Sequence, residues 1–416
     1  MSRTTRTPIA RAIAVALTGG LALAACGSSS KPAATASSTA APGAKATASS
    51  AAAAPASTTA AGGTSSSSAA ASTTGAPAGG DVKAGAAFPA DRCAANKAVG
   101  KITYLSGFDF AASSSIVEIV VAKEKGYFDK MCLDVDVKPS FSTVNYPLVG
   151  ANTAQFASAG SYTEMLGYNK DGAHFVAVAI DGKVGIDALL VRPESGITTP
   201  AGLKGKKIGV KGALPPAEVA LLNKYGLKQG KDYDEVSLDG FDPKVHWALP
   251  IDALPVFKSN EPGQLDAAGI KYTMFDPVKE GIPGDFGVIY TSAGFAKDHP
   301  IAVQDFLRAA MKGMDDALSD VAGAVKIAVA KINGNGNPNY LSDAGESYRW
   351  GVEAKIVKDN TPAGEGIGVV HPDSLAKLVD AYTAAGVFAT KPSIDGTYSD
   401  ALKGVYDPSA KVVWPS

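Results

Sequence analysis

The sequence predicts an α/β protein of two lobes, with mostly parallel sheets flanked by helices and a ligand cleft between the lobes. Three observations lead there. The chain beyond Asp81 is longer than one hydrophobic core usually organises. Short apolar strand-like runs alternate with helical stretches, the rhythm of βαβ units covered on both faces. Everything before Asp81 has a composition that cannot build a core.

Arg3, Arg6 and Arg11 make a basic start, and Ala12 to Leu23 is apolar except for Thr18, Gly19 and Gly20. That run is too short to remain as a spanning helix and reads as an export signal. It ends at Leu23-Ala24-Ala25-Cys26, which resembles the bacterial lipoprotein cleavage box, where the cysteine is diacylated and becomes the new N-terminus. The alternative is an ordinary secretory signal with a chance cysteine. On the lipoprotein reading, residues 1–26 are the signal, and two acyl chains on Cys26 anchor the protein outside the cytoplasm on the bacterial cell membrane. Residues 27–80 hold only Ala, Ser, Thr, Gly, Pro and the lysines Lys31 and Lys45. They cannot bury enough apolar surface to offset their ordering entropy. Residues 27–97 are therefore expected to be a disordered tether and domain lead-in, the linker having a typical span of about 40 Å.

Lys101 to Leu105 alternates like a strand. Ser115-Ile116-Val117-Glu118 has the form of a capping box, and Gly126 that of the C-cap of the helix it opens. Leu133, Val135 and Val137 alternate with Asp134 and Asp136 as a second strand. Further strand-like runs lie at 155–159, 175–180, 187–191 and 207–210. Pro300 starts a helix with Val303, Phe306, Leu307, Ala310, Met311, Met314 and Leu318 on one face. A later helix carries Leu375, Leu378, Val379 and Tyr382 and stops at Gly386. Beyond Cys26 the sequence has two cysteines, Cys93 and Cys132. In an oxidising compartment they read as a disulfide, with free thiols as the alternative. The bridge would contribute about 4 kcal/mol in the chain-entropy view.

The chain has 39 Lys and Arg against 40 Asp and Glu, a balance that favours neither nucleic acid nor an acidic surface as partner. HExxH, GxSxG and Walker A motifs are absent, and Gly202-Leu203-Lys204-Gly205-Lys206-Lys207 lacks the hydroxyl residue and glycine spacing of a phosphate loop. His174, His246, His299 and His371 are scattered, so no metal site and no cofactor are expected. The expectation is a binding protein rather than an enzyme.

Gly126-Tyr127-Phe128 followed by Leu133-Asp134-Val135 resembles the "GYF…GLDV" opening of ABC-transporter solute-binding proteins for sulfonates, nitrate, taurine and thiamine-pyrimidine precursors. Leu203-Lys204-Gly205-Lys206-Lys207-Ile208-Gly209-Val210 is similar to the "LKGKKIGV" that opens the second lobe in that group. Asp252-Ala253, then Ser259-Asn260-Glu261-Pro262 and Gly269, resemble the "DA…NEP…G" stretch of the pyrimidine-precursor branch, and 306–313 resembles its "FLRAxxKG" helix. One departure is Pro250, where the family often has glycine. The resemblance covers about residues 100 to 385. It implies a type II periplasmic-binding-protein fold, with lobe I at 98–195 and 288–390, lobe II at 196–287 and a C-terminal tail at 391–416. It also implies a monomer that binds a small molecule and serves an ABC permease and its ATPase. A pyrimidine-synthase relative carries a cysteine-rich motif that is absent here, because no cysteine follows Cys132.

Ligands in open α/β sheets bind at the carboxyl ends of strands, which singles out several loops. Phe108-Asp109-Phe110 offers aromatic faces around a carboxylate, suited to a flat heterocycle with amino donors, although one phenylalanine could equally be core. Ser142, Asn145 and Tyr146 follow the second strand, and Ser161 and Tyr162 the third. In the second lobe Gly212 and Ala213 precede a helix starting near Pro216, where free amides could face a ligand. Asn260 and Glu261 either bind ligand or cap their helix; Trp247 either walls the cleft or packs in a core. The folded part has four arginines, Arg92, Arg192, Arg308 and Arg349, none in these loops. A guanidinium fork is what a sulfonate site would favour. Helix N-termini can bind anions unaided, so this excludes nothing, but a neutral or weakly basic aromatic ligand gains ground; the resemblance implies a heterocycle such as a thiamine pyrimidine precursor. Riboflavin, an alkanesulfonate, taurine or nitrate are alternatives, as is a role as a tethered ligand sensor.

Overall fold

A computed structural model describes residues 79–169, 174–334 and 342–416. The export signal, the proposed lipidation at Cys26 and the tether up to residue 78 lie outside the described residues. The first lobe runs through α1 (Ala90–Val99), β1 (Lys101–Leu105), α2 (Val117–Glu124), α3 (Tyr127–Lys130), β2 (Asp134–Lys138), α4 (Ser142–Gly150), β3 (Phe156–Ala159), α5 (Tyr162–Gly167) and β4 (Phe175–Gly182). The second holds β5 (Asp187–Val191), β6 (Lys206–Val210), α6 (Pro216–Lys224), β7 (Tyr233–Ser237), α7 (Pro243–Trp247), β8 (Ala253–Phe257), α8 (Glu261–Ala267) and β9 (Thr273–Phe275). The chain then returns through β10 (Phe286–Ser292), α9 (Ala293–Asp298), α10 (Pro300–Ser319), α11 (Val321–Gly334), α12 (Asp343–Asn360) and α13 (Pro372–Ala384).

Two five-stranded sheets result, ordered β2-β1-β3-β10-β4 and β7-β6-β8-β5-β9. β1 pairs parallel with β2 and β3, and β6 parallel with β7 and β8, as crossover connections through helices require. β10 is antiparallel to β3 and β4, and β5 antiparallel to β8 and β9. The sheets are thus mixed rather than mostly parallel. β5 and β10 are the strands by which the chain enters one sheet from the other, so each runs against its neighbours. The same connectivity moves the lobe boundary: β5 belongs to the second sheet, so the first lobe ends near Gly182 and not at 195. The two crossing segments touch backbone to backbone, since a Cβ on Gly284 would lie 2.8 Å from Gly185 Cα and one on Gly185 3.2 Å from Gly284 Cα. Only glycine permits that approach.

The first lobe's core is organised by α10, whose expected face from Val303 to Leu318 is buried throughout, together with Phe128, Phe156 and Trp350. α13 buries Leu375, Leu378, Val379 and Tyr382 as its periodicity dictates, and Gly386 follows it at φ 73°. Two expectations change. Residues 90–97 of the lead-in are helical: α1 is fastened by the Cys93–Cys132 disulfide and by buried Arg92, whose guanidinium donates to both oxygens of Asp305 at 2.8 and 3.0 Å. The capping box does not form. Ser115 sits at φ 65°, Ile116 occupies the cap position, and Glu118 is fully buried on α2. The segment 391–416 packs onto the first lobe, with Leu402 and Val405 buried and Arg308 donating to the carbonyls of Gly404 and Val413.

Candidate functional site

The two lobes face each other across the carboxyl ends of their parallel strands. From the first lobe come Phe108 after β1 and Phe141 after β2; from the second comes Phe241 after β7. Their rings meet, Phe108 against Phe241 edge-on at 4.9 Å between centroids, and Phe141 parallel to Phe241 at 5.8 Å. All three are half-buried. Asp109 beside them is held at φ 46°, its carboxylate accepting from the Phe110 amide.

On one side of this aromatic meeting the lobes are joined by buried polar bonds. Arg349 of α12 donates to Asn260 Oδ1 at 2.9 Å and lies 3.3 Å from Glu346, while Ser259 Oγ donates to Glu353 Oε1 at 2.6 Å. Glu353 and Glu346 also accept from the amides of Ser114 and Ala112, each at 2.7 Å. Burial raises the Glu353 carboxyl to about 7, against the bonds from Ser259 and Ser114 that hold it down.

Elsewhere carboxylates gather with fewer donors. Glu164 of α5 is partly exposed and accepts from Tyr146 Oη at 3.1 Å and the Gly160 amide at 3.0 Å; burial raises it nevertheless. Asp187, partly exposed at the start of β5, is raised to about 7 by burial and by the charges of Glu164 and Asp285. Asp285 accepts from the Tyr162 amide at 2.8 Å and is raised to about 6 by burial. Glu218 on α6 is fully buried, neither oxygen meets a donor from another residue, and burial and Asp187 push it well above the usual carboxylate range.

Among the residues expected at the site, Phe108, Asp109, Ser142, Ser161, Gly212 and Ala213 retain exposure at these loops. Ser161 is occupied as the N-cap of α5, accepting from the Glu164 amide. Other positions are corrected. Phe110 is 2% exposed and belongs to the first lobe's core. Asn145 is buried and donates to the Ser106 carbonyl, tying α4 to the end of β1. Tyr146 and Tyr162 are buried, the first stacked on Tyr168 at 3.9 Å, the second bonded to Thr397. Trp247 packs in a second-lobe cluster with Arg192 over its ring. Glu261 is already filled by Lys211 Nζ at 2.6 Å and the Phe257 amide at 2.9 Å. Asn260 stands at the cap position of α8 without a capping bond from its side chain; Arg349 and Gln264 donate to its oxygen.

Sequence reasoning missed Phe141, Phe241, Glu164, Asp187, Glu218 and Asp285. Phe141 was findable, since it immediately precedes Ser142. Phe241 was not, because Tyr233–Ser237 does not alternate clearly enough to be read as a strand. A separate open groove of about 780 Å³ lies on the first lobe, lined by Tyr168, His174, Phe295 and His299 among others. None of the cleft phenylalanines or the acids just described lines it, although Tyr146, expected at the site, does.

A family profile described as NMT1/THI5 like matches residues 113–324, half of the chain. The chain belongs to that family. This NMT1/THI5-like chain is 30% identical over 165 residues to binding proteins of Brucella abortus (strain 2308) and Brucella suis biovar 1 (strain 1330). The match covers 39% of this chain and 46% of theirs, so the chain spans about half the length of the curated relatives it matches. Among solved structures, a Bordetella bronchiseptica RB50 protein is similar with a TM-score of 0.53 at 21% identity, over 73% of this chain and 96% of that one. The alkanesulfonate-binding protein SsuA from Xanthomonas axonopodis pv. citri, bound to MOPS, follows with a TM-score of 0.52 at 16% identity, over 76% and 98%. At those identities the likeness is one of fold: the two-lobed architecture of periplasmic binding proteins. Among the described residues, no helix is long and apolar enough to cross a membrane.

Proposed function

We propose that this chain is the extracytoplasmic, lipid-anchored ligand-capturing component of an ABC importer. It takes a small flat heterocycle, such as a thiamine pyrimidine precursor, into the cleft and yields it to a permease driven by an ATPase. The observation that carries this is the meeting of Phe108 and Phe141 from one lobe with Phe241 from the other. The rings touch one another, so a flat ligand ring entering there parts Phe241 from Phe108 and Phe141, and it contacts both lobes only when they close on it; binding then selects the closed form. The arginines argue against a sulfonate. Arg92 and Arg308 are engaged with Asp305, Arg192 with second-lobe carbonyls including that of Leu249, and Arg349 with Glu346 and Asn260. Arg349, however, also stands over the Phe108 ring at 5.9 Å and has N–H donors beyond those pairs, so an anionic ligand such as a sulfonate is the second reading. The role needs no catalytic group, and none is assigned.

Calorimetry against pyrimidines, flavins and alkanesulfonates tests this, with X-ray scattering to follow compaction. A heterocycle is expected to bind and compact the protein, and Phe108→Ala or Phe241→Ala to weaken it about 5- to 150-fold by loss of stacking. Tight sulfonate binding with no response to any heterocycle would overturn the ligand class. Unchanged affinity in both variants would move the site elsewhere. For the anchor, Cys26→Ser is expected to shift the protein from the membrane to the soluble fraction, and identical detergent partitioning of the two forms would refute it.

A further inference from the structure

We propose that the carboxylates Glu164, Asp187 and Glu218 form a subsite for a cationic group of the ligand, a protonated amine or an amidinium, which rests on the cleft being the ligand site as proposed above. Glu218 is the second observation beside the gathering of acids; Glu118 on α2 is buried without a donor from another residue as well, but the acids that raise it, Asp181 and Glu353, are bonded to Ser114 and Ser259. Glu218 is fully buried, no other residue donates to its oxygens, its own amide being the one group that lowers its pKa by a hydrogen bond, and the charge it feels most is that of Asp187. A buried polar group without a partner costs folding free energy, so it persists where a ligand completes it. α6, which carries it, packs Ala217 and Ala220 in one cluster with the first lobe's Leu378 and Tyr382, and Tyr382 feels the charge of Glu218. Asp187 and Glu164 keep partial exposure, which leaves a way in.

The neighbouring cations are already engaged. Lys258 holds both oxygens of Asp276 at 3.1 Å, Lys211 holds Glu261 at 2.6 Å, and Lys183 donates to the carbonyls of Ile180 and Val369. Asp285 adds a fourth carboxylate toward Asp187, and Tyr382 of α13 feels Asp187, Asp285 and Glu218 together. Burial and mutual repulsion raise these carboxyls, Asp187 to about 7, so protons occupy part of the cluster near neutral pH. An incoming cation favours the ionised form and displaces those protons. Its affinity must therefore rise with pH through about 6 to 8. An anion would show the opposite slope.

The experiment presents one charge series on two scaffolds to the full folded chain. An aminopyrimidine carries an aminomethyl, hydroxymethyl or sulfomethyl group, and an alkyl chain carries an amine, alcohol or sulfonate. Calorimetry at pH 5.5, 7 and 8.5, in buffers of different ionisation heat, reads affinity and proton release together. On at least one scaffold the cation is expected to bind about tenfold or more tightly than the neutral analogue. Protons should be released, and Glu218→Gln with Asp187→Asn should remove both the preference and the pH slope. Preference for the pyrimidine whatever its charge would leave the heterocycle reading standing and overturn the subsite. So would tight binding of either sulfonate, no binding of any cation, or a cation preference that survives the double variant.

Discussion

The lobes meet through two carboxylate-rich zones that differ in how their acids are satisfied. In the first, Glu346 and Glu353 are matched by Arg349, Ser259 and the amides of Ala112 and Ser114. In the second, Glu164 and Asp285 have partial partners, and Glu218 has none. A satisfied zone behaves as a latch that rewards closure by itself; an unsatisfied one leaves closure dependent on what arrives between the lobes. Such a division gives a binding protein both a defined closed geometry and a reason to wait for ligand.

The largest expected effect breaks the latch. Arg349→Ala leaves Glu346 buried without its cation and Asn260 Oδ1 without that donor. Removing one partner of a buried pair costs about 3–5 kcal/mol, to be read from the midpoint of urea unfolding at pH 7. A loss below about 1 kcal/mol, the range of a surface pair, would mean that the zone is not a latch.

Next comes pH. Glu353 is raised to about 7 and Asp181, behind it and bonded to Ser114, to about 6, both mainly by burial. A carboxyl raised on folding binds more protons in the native state than in the unfolded chain. The contribution of these two groups must therefore fall as pH rises through about 4 to 7 and level off above. Glu353 alone accounts for about 3 kcal/mol of that fall. Melting temperatures of wild type and Glu353→Gln across pH 4.5 to 8 check it, since the wild type should lose ground to the variant as pH rises. Ground gained with pH over that range would contradict the assignment.

The latch and the cleft also differ in how far the sequence revealed them. The two-lobed α/β architecture, the α10 and α13 faces and the cysteine pair were legible because each rests on local periodicity or on counting. Phe108 was legible because it follows a clean strand. Phe110, two residues on, was read with the same logic and proved to be core, since the φ of Asp109 turns the chain between them. Glu218 sits in a helix that looks unremarkable in one dimension; its isolation depends on α6 meeting the first lobe. Arg349 and Asn260 lie far apart in the chain, and no spacing rule joins them. The second-sheet edge strand and the antiparallel β5 and β10 were missed because pairing direction is set by the path between lobes rather than by residue pattern.

The smallest effect separates Glu218 from Glu164 by one substitution each. Glu164→Gln keeps the shape but replaces a charged acceptor for Tyr146 and the Gly160 amide with a neutral one, at a cost of about 1 kcal/mol at pH 7. Glu218→Gln removes no hydrogen bond to another residue. Near pH 3.5 the Glu218 carboxyl is protonated in the folded and the unfolded chain alike, so the amide should be nearly silent there. As pH rises, the wild type loses stability by ionising Glu218 in the unfolded chain while the native carboxyl holds its proton or ionises unpaired; the amide has no such liability. Glu218→Gln is therefore expected to be more stable than wild type by about 1 kcal/mol or more at pH 9, and nearly equal to it at pH 3.5. Denaturant unfolding of both variants at the two pH values reads the difference. If Glu218→Gln instead destabilises at pH 9 as Glu164→Gln does, its carboxylate has a structural partner in solution, and the contrast between the two acids falls.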